Sequence, residues 1–237
     1  MIILISIIFL IIFIKSFIFN YFIKLFLNMF KKSKNITKTS ILKSSWAKET
    51  VDFYKNKKIK IYINDKYNNE KIIGNRIVRN MTTGEKEEVK NLLLKTEDLS
   101  SKKKINLEFV DDYIDSTLII TLASMYDLDD LDMYGEYTEI DVEGKKYLLI
   151  VLNPENIENE SKDVIKQNVL HEFGHFLGLK HPFDCSGPCG PKNFNKKFTI
   201  TDTLMAYDRD KNNFTPEFYT ELDKKAIKEI WDNENYE

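Results

Sequence analysis

All three histidines of this 237-residue chain fall in one stretch, HEFGHFLGLKH, at residues 171–181. Neutral imidazole is a good ligand for zinc, and spacing decides whether several imidazoles can share one ion. Helix positions four apart lie on one face, separated by a single turn, so His171 and His175 can converge on one metal. A helix continued to His181 would carry that residue about 15 Å further along the axis than His171, out of reach of a common ion with Zn–N bonds of ~2.1 Å. The helix must therefore break. Gly178 is placed to break it, because glycine accepts the left-handed conformation that ends helices and turns the chain back.

Three imidazoles leave the fourth position of a tetrahedral zinc for water, as in a catalytic site; structural zinc favours four protein ligands, often cysteines. Glu172, adjacent to His171, is placed to act on that water. As general base it would take a proton from zinc-activated water and pass it to a leaving amine.

Several elements must position these groups. Ile59, Ile61 and Ile63 alternate with polar partners and predict a strand with one buried face. Thr82 followed by Glu85 is a capping box for a helix that gathers Val89, Leu92 and Leu93 on one side. Ile105, Leu107 and Phe109 predict a second strand, residues 117–122 a third, and the strand–helix–strand order implies a parallel crossover. Residues 136–142 and 147–152 form a hairpin across Glu143-Gly144. The second arm is the more apolar, so it belongs inside the sheet and the first arm at its edge, where free backbone groups can pair with an extended peptide. A helix starting near Ser161 carries the histidines, and its wide apolar surface predicts burial between layers. Residues 215–231, with Pro216 near the start and Leu222, Ala226, Ile227 and Ile230 at helical spacing, predict a closing helix.

The length allows one domain whose core is stable without help from metal or disulfide. Lys and Arg total 35 against 37 Asp and Glu, and no basic region interleaved with aromatics points to nucleic acid. Residues 1–30 are apolar apart from Lys15, Asn20 and Lys24 and few others, and lysines follow at 31, 32 and 34. They read as a signal peptide or an uncleaved membrane anchor, placing the domain outside the cytoplasm, although the following lysines favour the opposite orientation. A buried core helix is the alternative. Residues 31–57 read as a linker or short pro-segment. The acidic stretch 126–132 lacks the spacing and central glycine of a calcium loop, so Ca2+ has no motif here. Cys185 and Cys189 flank Ser-Gly-Pro, and an exported chain favours a local disulfide over free thiols.

The pattern HExxHxxGxxH resembles the signature of the metzincin clan of zinc endopeptidases, which also carries a methionine turn beneath the metal. Thr203-Leu204-Met205-Ala206-Tyr207 resembles that turn, and with His181-Pro182 and residues 223–231 it is most similar to serralysin-type catalytic domains, relatives of the matrixins. The resemblance implies that Met205 is the apolar floor of the site. It also implies that Tyr207 approaches the zinc as a displaceable fifth ligand and stabilises the oxyanion of the tetrahedral intermediate. Matrixins block their zinc with a pro-segment cysteine, and here no cysteine precedes Cys185.

The resemblance covers residues 58–237, divided into an N-subdomain, 58–178, and a C-subdomain, 179–237. The expected fold is α+β: a metzincin-like zincin with a twisted, mostly parallel five-stranded sheet, an antiparallel edge strand, two helices behind it and a small C-terminal subdomain. The expected activity is hydrolysis of internal peptide bonds in protein or peptide substrates. A membrane-tethered zinc-containing binding module is the alternative, but such a module has no need of Glu172. A zinc hydrolase acting on a non-peptide bond is a third reading.

Overall fold

The computed structural model describes residues 48–55, 57–64, 81–122, 135–153, 162–182, 202–206 and 216–232. All of them belong to one compact unit, Lys38–Glu237. Residues 1–30, the acidic stretch, both cysteines and Tyr207 lie outside the described residues. Among the described residues no helix is long and apolar enough to cross a membrane.

Five strands form one sheet: β1 (Lys58–Ile63), β2 (Asn106–Phe109), β3 (Leu118–Leu122), β4 (Gly135–Val142) and β5 (Lys145–Leu152). Their spatial order is β2-β1-β3-β5-β4. β1 runs parallel to β2 and to β3, β3 runs parallel to β5, and only the β4–β5 pair is antiparallel. The α+β class, the mostly parallel sheet and the antiparallel edge pair are thus as the sequence implies. The central strands β3 and β5 are apolar almost throughout, because both of their faces are covered. Glu143 and Gly144 both take positive φ, at 55° and 82°, the combination a two-residue hairpin turn requires. Gly144 N–H donates to Asp141 Oδ1 at 2.8 Å and fixes that turn.

One face of the sheet packs against α2 (Thr83–Leu94) and α3 (Lys162–Phe176). Ile59, Ile61, Leu118, Ile120 and Ile150 meet Val89 and Leu93 of α2 and Val169, Leu170, Phe173 and Phe176 of α3 in a single core. α2 starts with the expected capping box: Glu85 N–H donates to Thr82 Oγ1, and Thr82 N–H donates to Glu85 Oε2 at 2.7 Å. The opposite face carries a smaller cluster around Tyr62, Ile119, Tyr147, Leu149 and Val151.

Two elements differ from the sequence reading. A helix, α1 (Lys48–Tyr54), lies within the segment read as a linker, and its Val51 and Tyr54 are buried in the main core. Phe53, between them, is 54% exposed. The last helix, α4, spans Glu221–Asp232 and begins after Pro216 and the turn that follows it, because Thr220 caps it. Asp223 N–H donates to Thr220 Oγ1 and Thr220 N–H donates to Asp223 Oδ2, a capping box with aspartate in the usual place of glutamate. The apolar residues of α4 bury against the core, and Trp231 Nε1 donates to the Leu177 carbonyl at 3.1 Å.

Candidate metal centre

α3 ends in the manner its glycine predicts. Gly178 has φ +99°, its N–H donates to the His175 carbonyl at 3.0 Å, and Leu179 N–H donates back to the Gly174 carbonyl at 2.8 Å. This pair of bonds is the Schellman closure, which satisfies the carbonyls of the last turn while the chain reverses. The reversal brings His181 back over the helix. Its Nε2 lies 2.9 Å from His171 Nε2 and 3.1 Å from His175 Nε2. The three rings offer ligand atoms that all lie within 4.8 Å of one another.

The donor set fits zinc. His171 Nδ1 is 3.0 Å from the Leu204 carbonyl and His175 Nδ1 is 3.0 Å from the Leu179 carbonyl. A carbonyl only accepts, so in both rings the proton sits on Nδ1 and the Nε2 lone pair faces the shared point. Burial holds the His175 imidazole below its ordinary pKa, opposed by its bond to Leu179, and so favours the neutral, ligating form. Nitrogens on a tetrahedral zinc stand about 3.3 Å apart, close to the spacing here. Without a cation or a proton between them, lone pairs this close would repel.

Glu172 is buried and faces the start of the edge strand: a Cβ added at Gly135 would stand 3.2 Å from Glu172 Cγ and 3.1 Å from the Val151 carbonyl. Tyr137, two residues further along the same face of β4, stacks on His175 with the ring planes 24° apart. Residues 135 and 137 thus line up against Glu172 and His175. Neither was singled out in the sequence, where nothing distinguishes them from other strand residues.

Met205 is fully buried against α3, where a Cβ at Gly174 would come within 2.7 Å of its sulfur. The turn that presents it is held from α4. Asp223 is buried and accepts from Thr203 Oγ1–H, from Leu204 N–H at 2.8 Å and from Thr220 N–H at 3.1 Å. Burial raises its pKa, and the hydrogen bonds from Thr203, Leu204 and Thr220 oppose that rise. Tyr219, just before the cap, donates to the Leu170 carbonyl at 2.7 Å and packs beside Gly174. The structure therefore brings His171, His175 and His181 together, with Glu172 against Gly135 and Met205 against Gly174, while Tyr207 lies outside the described residues.

No family model matches the chain, and no curated protein matches it. Among solved structures, one titled "GM1 bound form of the ECX AB5 holotoxin" is similar over 74% of this chain and 80% of that chain, at 14% identity and a TM-score of 0.42. A likeness that weak carries no argument about fold or function.

Proposed function

We propose that this domain is a zinc-dependent endopeptidase of the metzincin type, most like the serralysin-type catalytic domains. The observation that carries the reading is the convergence of three imidazole Nε2 atoms from a helix and its reversed C-terminus, and Glu172, next to His171 in the chain, is buried on the same helix. His171, His175 and His181 would hold the ion. When bound, zinc would supply Lewis-acid polarisation of water and of the scissile carbonyl. Glu172 would accept the proton of the attacking water and deliver it to the leaving amine. Its burial against β4 keeps bulk water from competing for that proton. The Tyr207 hydroxyl would donate a hydrogen bond to the oxyanion, a role that rests on the sequence resemblance. An extended peptide would add to β4, the outermost strand of the sheet among the described residues, and so cross the site near Glu172 and His175. Residues 1–30 would direct the enzyme out of the cytoplasm, as a secreted or a membrane-anchored form.

The test uses the full chain in detergent, a mixed peptide library, a zinc chelator and the variant Glu172→Ala. We expect cleavage that the chelator abolishes and that Glu172→Ala slows by about 10²–10⁴-fold with zinc content unchanged. Stoichiometric zinc with cleavage indifferent to Glu172 would sink the peptidase reading and leave the binding module.

A further inference from the structure

Two of the three histidines are oriented by backbone carbonyls, but the two carbonyls belong to different settings. The Leu179 carbonyl, which receives His175, sits just past a helix end. The Leu204 carbonyl, which receives His171, belongs to a peptide group that is itself engaged at its other end. The N–H of that same peptide, on Met205, donates to Thr203 Oγ1 at 3.0 Å. The Thr203 hydroxyl in turn donates to Asp223 Oδ1. Every donor along this line points the same way: imidazole to peptide, peptide to hydroxyl, hydroxyl to carboxylate. Thr203, Leu204, Met205 and Asp223 are all buried, so no bulk water interrupts the line.

The geometry points to Asp223 and Thr203 as positioning residues for the metal, forming a carboxylate–hydroxyl–peptide–imidazole relay that fixes the His171 ring and raises the basicity of its Nε2. The inference rests on the zinc site proposed above. A carboxylate bonded directly to a ligating histidine orients the ring and strengthens it as a donor. Here a hydroxyl and a peptide are interposed, and aligned hydrogen bonds polarise one another in a low-dielectric interior, so the influence of the distant charge passes along the line. Asp223 reaches it from α4, where as the third helical residue it also closes the capping box, so one carboxylate serves the helix start and the proposed metal site together. Asp223 makes no contact with the shared point of the histidines, and its role is exerted through His171 alone.

Zinc affinity separates this role from simple packing. The full chain in detergent is stripped of metal and titrated with Zn2+ against a chromophoric chelator, and unfolding of the metal-free protein is measured in parallel. Thr203→Val removes the hydroxyl at nearly constant shape, Thr203→Ser restores it, and Asp223→Asn removes the charge. Val89→Ala, in α2 and remote from the site, is the control for stability. We expect Thr203→Val and Asp223→Asn to weaken zinc binding about 10–100-fold. Thr203→Ser should bind close to wild type, and Val89→Ala should lower stability with affinity unchanged. Thr203→Val binding zinc as tightly as wild type overturns the relay alone. Wild-type protein that binds no zinc overturns the site and the relay with it. If Thr203→Val does not fold, the decision passes to Asp223→Asn and the His171 ring nitrogen resonances in metal-free protein, where unaltered resonances overturn the inference.

Discussion

At the scale of single residues, the site depends as much on missing side chains as on ligands. Gly174 sits between Glu172 and His175, and the Met205 sulfur occupies the space a β-carbon would need. Gly174→Ala should force either the sulfur or the helix to move. We expect a loss of about 1–3 kcal/mol in denaturant unfolding, the range for overpacking a dense core. A variant as stable as wild type would show that the Met205 side chain yields freely. The ligands were legible because zinc chemistry and helical spacing are both local in sequence. The need for glycine at 174 was not, since it arises only when residue 205 is folded beneath it. Gly178 was legible because its requirement, a positive φ at a helix end, is local.

At the scale of elements, strands and helices whose periodicity repeats are legible in the sequence, while single-turn events are not. β1, α2 and the β4–β5 hairpin follow their apolar patterns. α1 is too short for periodicity to show, and α4 starts later than expected because a threonine cap, rather than the proline, sets its boundary. The other end of α4 is also tied. Asp232 accepts from Ser100 Oγ at 2.7 Å, Ser101 N–H at 3.0 Å, Ser101 Oγ at 2.7 Å and Lys102 N–H at 2.8 Å. Burial acts to raise its pKa, but these four bonds outweigh it and hold the carboxyl well below its ordinary 3.8. A depressed carboxylate pKa contributes stability that is present above the unfolded-state value and fades as pH falls through it toward the folded-state value. Asp232→Asn should therefore unfold more easily than wild type near neutral pH. The gap should start to close at about pH 5 and narrow steadily below 3.8. Denaturant midpoints measured across that range check it, and a gap independent of pH would show that shape, not charge, secures the junction.

At the scale of the whole molecule, one core unites the sheet, α1 to α4 and the turn that carries Leu204 and Met205. A core of this extent is expected to fold without metal, with zinc adding stability by mass action. At free zinc about 100-fold above its dissociation constant, the gain is about 2.7 kcal/mol, or roughly 5–10 °C in Tm for a domain of this size. Calorimetry with and without chelator tests this; a chelated chain with no cooperative transition would show that metal and fold are inseparable. The same unity bears on the order of synthesis. His171, His175 and His181 leave the ribosome together on α3 and its reversed end, but two of their supports come much later in the chain. Asp223 clamps the turn that orients His171, and Trp231 secures the Leu177 carbonyl just before Gly178. A nascent chain halted before α4 would carry every ligand and yet lack the frame that aims them. On the proposed reading, metal capture and any peptide hydrolysis would be deferred until this helix has emerged and docked.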